Sequence, residues 1–273
     1  MRRRKSTAAR CPVLCLGPVS LAVARSFRAC LPWRTRLLCF SVAEPARRMA
    51  QPGVLHFPGL CTFGTRASSG RSRWQVMLSG AVLTGGLSRR MGYDKALLRV
   101  AGETILARTL RVLAAVCDDI TIIGDRPEYH AYGVPVHRDR WPSGGPLGGI
   151  ATALSLAEHA YVLCLACDMP FVSRALLRAM AALPQDYDVL VPRSGGAMEA
   201  ERLHPLHAIY ARRVGPVLER QVEAGNLRIA NALALLEVRH LDEAWLRIHD
   251  PDLRSIVNVN TAHDRIRFGL ELP

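Results

Sequence analysis

The chain has 273 residues with Lys+Arg 36 and Asp+Glu 23, a formal net charge of +13. All of that excess lies in residues 1–73, which hold 14 Lys/Arg against one acid, Glu44, whereas residues 74–273 balance at 22 of each sign. A strongly basic chain ordinarily points to nucleic acid or an anionic membrane as partner, and the neutrality of residues 74–273 excludes that reading for them.

Residues 1–73 are Arg-rich, with scattered Pro, Gly and Ser and five of the eight cysteines (Cys11, Cys15, Cys30, Cys39 and Cys61). They show little sustained periodicity. Arg2–Lys5 followed by Cys11–Val23 loosely fits a signal peptide, interrupted by Pro12 and Pro18, and an acid-poor, Arg-rich composition also describes a transit peptide. The expectation is a disordered extension, or one never translated because synthesis starts at Met49 or Met77. A targeting segment and a binding tail are the alternatives. No apolar run reaches the ~18 residues of a spanning helix. The remaining cysteines, Cys117, Cys164 and Cys167, make no disulfide framework, so a reduced, cytoplasmic setting is expected.

From residue 74 onward, apolar runs alternate with helical patterns. Met77–Leu83 is a short apolar run ending in Gly85-Gly86, and Thr104–Val116 carries a helical stripe through Ile105, Leu106, Leu110, Leu113 and Val116. Ile120–Ile123 is a β-branched run closed by Gly124, Val134–Val136 is a short strand, and Gly149–Ala157 reads as a helix. Tyr161–Ala166 is a wholly apolar strand ending at Asp168. Ser173–Leu183 is a helix with Ser173 as its cap. Strands follow at Asp188–Val191, Leu206–Tyr210 and Val238–Leu241, and helices at Val214–Ala224 and Arg228–Leu236. Ile256–Val259 reads as a last short strand, with Thr261 capping a closing helix. Continuously apolar strands alternating with helices predict a mainly parallel sheet covered on both faces, with ligands at the carboxyl ends of its strands.

The residues following the apolar runs are therefore the candidates. The stretch Leu83-Thr84-Gly85-Gly86-Leu87-Ser88-Arg89-Arg90-Met91-Gly92-Tyr93-Asp94-Lys95 directly follows the first strand. Its glycines let backbone N–H groups approach an anion, and Arg89, Arg90 and Lys95 supply charge for phosphates. The spacing is neither a Walker A loop nor G-x-G-x-x-G. Asp168, in Cys167-Asp168-Met169-Pro170, is a carboxylate at a strand's carboxyl end facing a basic loop, which suits a Mg²⁺ ligand; a turn or capping role before Pro170 is the alternative. Asp139 follows the strand at Val134–Val136 and, taken alone, reads as a surface turn residue. Gly144-Gly145-Pro146-Leu147-Gly148-Gly149-Ile150 precedes a helix, where backbone N–H groups favour an anion, though a plain turn fits too. Cys164-x-x-Cys167 flanks a buried strand with no second cysteine pair, so both read as small buried hydrophobes.

The first loop resembles the signature of molybdenum cofactor guanylyltransferases, within the molybdopterin nucleotidyltransferases. The resemblance runs through motifs in the same order over nearly all of residues 76–268 and leaves out residues 1–73. It implies a three-layer α/β/α, Rossmann-like nucleotidyltransferase domain over residues 74–273. It also implies transfer of GMP from GTP to molybdenum-carrying molybdopterin, with release of diphosphate. On this likeness Leu83, Thr84, Gly85, Lys95, Asp139 and Asp168 bind GTP, and Asp168 holds Mg²⁺. Lys95, Asp168 and Arg90 form the catalytic set. Arg228 (in Gly225-Asn226-Leu227-Arg228), Asn258 and Asn260 lie on the molybdopterin side, near Pro192-Arg193 and the His204–Tyr210 segment. Partners implied are proteins that insert molybdenum and the molybdoenzymes, or their chaperones, that receive the cofactor, with no nucleic acid and no membrane. One departure concerns an Asn that relatives carry at the end of the second strand: Ile123 falls there, with Asp125 as a substitute. The rival readings are a CTP-dependent cytidylyltransferase, disfavoured because its first loop is Leu-Ala-Ala-Gly-like, a sugar-phosphate nucleotidyltransferase, and a non-catalytic binder driven by the basic segment.

Overall fold

The computed structural model describes residues 77–85, 93–195 and 201–273. The expectations for residues 1–73, and the basic pair Arg89 and Arg90, lie outside the described residues.

Ten strands alternate with seven α-helices: β1 (Leu78–Leu83), β2 (Arg99–Val100), β3 (Glu103–Thr104), α1 (Ile105–Leu113), β4 (Asp119–Ile123), β5 (Val136–His137), α2 (Gly145–Leu156), β6 (Tyr161–Ala166), α3 (Arg174–Ala181), β7 (Val189–Ser194), β8 (Arg202–Leu203), β9 (His207–Ala211), α4 (Gly215–Glu223), α5 (Ile229–Leu233), β10 (Val238–Leu241), α6 (Glu243–His249) and α7 (Ala262–Arg267). These counts refer to the described residues.

The main sheet has the order β10-β7-β9-β6-β1-β4-β5, with β8 attached to β7. Pairs β1–β4, β1–β6, β4–β5 and β10–β7 are parallel. The strand β9 alone runs against its neighbours β6 and β7 on this path. The central strands β1 and β6 are buried at every position, as their unbroken apolar sequences require when both faces are covered. Gly80 on β1 lies against Cys117 beyond the end of α1, while Leu83, three residues on and therefore on the other face, lies against Gly149 of α2. Helices thus cover both faces, in the three-layer arrangement expected.

Local chemistry explains most boundaries. Ser173 caps α3 by accepting from Leu176 N–H, and Thr261 caps α7 in a reciprocal box with Asp264. The helix α2 starts at Gly145, four residues earlier than expected. The second glycine stretch is therefore not a loop before the helix but its first turn, where Pro146 is tolerated because its missing N–H would have no partner. Residues Ile256–Val259 do not form a strand. Arg254–Ile256 is a 3-10 turn entered through Leu253 at φ 53, and Val259 makes one backbone bond to Asp168 O at 2.9 Å. A second small core of Leu98, Ile105, Val259 and Leu270 joins this late segment to the chain after Lys95.

Candidate active site

The first glycine loop leaves β1 at its carboxyl end, between β4 and β6, where a doubly wound sheet opens its crevice. Leu83 O accepts from Cys167 N–H (3.1 Å), so the loop and the segment bearing Asp168 leave the sheet side by side. Thr84 is buried, and both its N–H (3.0 Å) and its hydroxyl (2.9 Å) donate to Ile123 O. Its side chain is thereby used structurally. Among the described residues, nothing lies within 4 Å of where a Cβ on Gly85 would stand. A Cβ on Gly124, at the end of β4, would collide with the Thr84 hydroxyl and come within 2.8 Å of the Tyr129 ring, so only glycine fits there.

Lys95 opens a 3-10 turn over Lys95–Leu97. Its Nζ donates to Asn260 Oδ1 at 3.0 Å and stands 3.9 Å from Asp168 Oδ2. Three expected site residues from distant parts of the chain therefore meet at one point. Burial raises the Asp168 carboxyl above its usual range, partly offset by the positive charges of Lys95 and Arg202. Its Oδ1 is buried without a hydrogen-bond partner, as is Oδ1 of Asn258. An orphaned carboxylate oxygen on a side chain that faces Lys95 is what a cation or a donor-bearing ligand would satisfy.

Asp139 stands at the start of α2. Its Oδ1 accepts from Trp141 N–H (2.9 Å) and from the Thr152 hydroxyl (2.8 Å). Its Oδ2 faces Gly148 and Gly149, at 3.4 and 3.9 Å from where their Cβ atoms would be, and the Leu83 side chain is 3.6 Å from the Gly149 position. Leu83 and Asp139 thus share one wall. Since Oδ1 already accepts two bonds, Oδ2 is the oxygen left to a ligand. Asp125, the substitute considered for the missing Asn, lines a shallow cavity of about 270 Å³ with Gly124, Pro127, His130, Val136 and Arg138.

Arg228 is exposed just before α5, and no hydrogen bond or ion pair among the described residues ties it to Lys95, Asp168 or Asn260. Val222 on α4 packs at 3.0 Å from the Gly144 Cβ position, which sets the α4–α5 turn beside the second glycine stretch. Cys164 and Cys167 are buried free thiols, that of Cys164 pushed up to about 12 by burial, so neither is a redox or metal group.

Sequence reasoning missed several residues here. Asp94 is buried, caps the Lys95 turn through Ala96 N–H (3.0 Å), accepts from the Tyr129 hydroxyl (2.5 Å), and pairs ionically with Arg126, whose Nε is 3.0 Å away. Only its place next to Lys95 could have flagged it. Thr152 supports Asp139 from inside an apolar helix, where an isolated hydroxyl at full burial was the available signal. A compact group of potential metal ligands, Asp119, Glu158 and His159, lies at the amino ends of β4 and β6, opposite Asp168. Asp119 there accepts from the Ser79 hydroxyl at 2.7 Å and pairs with His159 at 3.2 Å.

A three-layer α/β domain that gathers a glycine loop, a lysine and a carboxylate at parallel strand ends is a nucleotidyltransferase. The model of the MobA-like NTP transferase domain matches residues 80–241, and the chain belongs to this family. A molybdenum cofactor guanylyltransferase of Desulfosudis oleivorans is 35% identical over 190 residues, covering 68% of this chain and 92% of the relative. Probable molybdenum cofactor guanylyltransferases of Pelotomaculum thermopropionicum and Clostridium perfringens (strain SM101) are 36% and 32% identical over 193 residues; they cover 70% and 69% of this chain and 92% and 94% of those relatives. Among solved structures, molybdopterin-guanine dinucleotide biosynthesis protein A of Archaeoglobus fulgidus superposes with a TM-score of 0.60 at 26% identity, over 70% of this chain and 96% of that one. The bifunctional IspDF of Campylobacter jejuni shares the fold at 14% identity, with a TM-score of 0.57 over 72% of this chain and 55% of that one.

Proposed function

We propose that this chain transfers GMP from GTP to the molybdenum-carrying molybdopterin cofactor and releases diphosphate. The observation that carries this reading is the meeting of Lys95, Asp168 and Asn260 at the carboxyl end of β6, within a chain whose curated relatives are guanylyltransferases.

The nucleotide lies across the strand ends, its base side against Leu83 and Asp139 Oδ2 and its phosphates toward Lys95. The terminal phosphate oxygen of molybdopterin attacks the α-phosphorus of GTP; the new P–O bond forms as the bond to the β-phosphate oxygen breaks, and diphosphate leaves with the electron pair. The attacking phosphate is already ionised, so no general base is required. The work of the protein is alignment and charge neutralisation by Lys95. The unpartnered Asp168 Oδ1 and the hard carboxylate donor fit Mg²⁺, which when bound would neutralise phosphate charge. Arg90 supplies further positive charge in this reading, and Asn258 and Asn260 face the acceptor, with Arg228 at its outer edge.

Turnover of GTP with molybdenum-loaded molybdopterin, in competition with CTP, tests the proposal. Guanylyl transfer that excess CTP does not suppress is expected; tighter CTP than GTP binding reverses the choice in favour of cytidylyl transfer. Lys95→Ala is expected to lower kcat about 10²- to 10³-fold, as loss of a transition-state cation does, with an unchanged circular dichroism spectrum.

A further inference from the structure

Lys95 sits on a three-residue 3-10 turn, an element too short to hold a side chain in place by itself. What fixes that turn is Asp94. Its Oδ1 accepts from Ala96 N–H at 3.0 Å within the turn. Its Oδ2 reaches across to the segment after β4, where it accepts from the Tyr129 hydroxyl at 2.5 Å and forms an ion pair with Arg126, whose Nε is 3.0 Å away. The Asp94 side chain is 3% exposed and the Arg126 side chain 47%, so the carboxylate is withdrawn from water and fully engaged, while its guanidinium partner stands at the surface. The Tyr129 ring in turn closes over Gly124, beside the Thr84 hydroxyl. One continuous set of contacts thus runs from the end of β1, across the end of β4, to the base of Lys95.

From this we infer that Asp94 and Tyr129 are positioning residues for Lys95, holding its ammonium at the point where it meets Asp168 and Asn260. The inference deepens the proposed reading of the site and rests on it. Three consequences follow from the chemistry of the contact. Tyr129→Phe removes one donor to Asp94 and leaves the ring over Gly124. Asp94→Asn keeps an acceptor for Ala96 N–H but turns a donor toward the Tyr129 hydroxyl and Arg126. Arg126→Gln removes a half-exposed partner with little burial at stake.

The test is a double-mutant cycle on GTP affinity, read by equilibrium titration of the full chain, with thermal unfolding recorded for each variant. Tyr129→Phe and Arg126→Gln are each expected to weaken GTP about threefold to tenfold when Lys95 is present and to have no further effect in a Lys95→Ala background, the coupling expected of groups that act through one another. The same fold-loss in both backgrounds overturns the inference, as does wild-type affinity in either variant. A fall in melting temperature with unchanged GTP affinity also overturns it, leaving the network a merely structural tie. Arg126→Gln keeps the test decisive if Tyr129→Phe does not fold. Wild-type chain that binds GTP and transfers GMP, yet gives an additive cycle, refutes the positioning role alone; wild-type chain that does neither refutes the functional reading beneath it.

Discussion

Asp168 concentrates the conflict between stability and use at the scale of single residues. Its carboxylate is withdrawn from water, one oxygen has no partner, and the net effect is a raised carboxyl. A group whose folded-state affinity for a proton exceeds that of the unfolded chain loses stability as pH rises through its folded value. A neutral isostere escapes that cost. Asp168→Asn is therefore expected to raise the melting temperature while abolishing guanylyl transfer, both read on one preparation by calorimetry and by product formation. Loss of stability in Asp168→Asn would mean that the Lys95 contact outweighs desolvation. Much at this scale was legible in the sequence. Lys95 and Asp168 were expected on the nucleotide side and Asn260 on the molybdopterin side, and the fold joins all three, with Lys95 and Asn260 165 positions apart in the chain. What the sequence hid are the supporting residues. The partners of Asp94 lie in a turn whose residues Pro127–Tyr132 have no periodicity to betray a role. Arg228 was placed with the acceptor side by order along the chain, which says nothing about distance in space.

Among secondary-structure elements, the legible ones are those whose pattern is dictated by full burial. Strand β6 lies at the expected Tyr161–Ala166, and α1 and α3 fall within their expected ranges. The unrecognised ones are too short to carry a periodic pattern. Helix α6 has seven residues, of which only Leu246 is buried; Ile248 is exposed and Arg247 pairs with Glu243 at 2.7 Å, so its apolar residues make no helical stripe. The β2–β3 hairpin pairs only two residues of each strand around Ala101 and Gly102, both at positive φ. Ile256–Val259 alternates like a strand, but no neighbouring strand offers it a ladder. The junction between β1 and β4 yields a sharp expectation. Because the Thr84 hydroxyl and the Tyr129 ring occupy the space beside Gly124, Gly124→Ala should destabilise the fold by about 1–3 kcal/mol, the usual cost of overpacking. A lowered urea midpoint at unchanged m-value checks it.

On the scale of the whole domain, residues 74–273 balance in charge, and buried histidines of the sheet contribute to the acid response. His207 on β9 is fully buried, with no hydrogen-bond partner for either ring nitrogen among the described residues, and burial lowers it to about 3. The unfolded chain takes up this proton near pH 6.5 and the folded chain does not. The stability contributed by the neutral ring is thus complete above pH 6.5 and is lost as pH falls toward 3. His204, hydrogen-bonded to the Ser194 hydroxyl at 2.7 Å and lowered to about 4, adds in the same direction. Between pH 7 and pH 5 the contribution of His207 alone amounts to about 2 kcal/mol. His207→Leu should flatten that part of the urea-midpoint profile, and an unaltered profile would place the acid sensitivity elsewhere.

The late segment that brings Asn258 and Asn260 to Asp168 also bears on truncation. Val259 bonds the backbone of Asp168, Leu270 packs with Leu98 beside the Lys95 turn, and Glu271 exchanges two backbone bonds of 2.9 Å with Arg99. All strands of the main sheet are complete at residue 241, the end of β10, ahead of Asn260, to which Lys95 donates. Loss of the residues beyond β10 would therefore remove the Asn260 partner of Lys95 and both backbone bonds between Glu271 and Arg99, while leaving every strand of the main sheet in the chain.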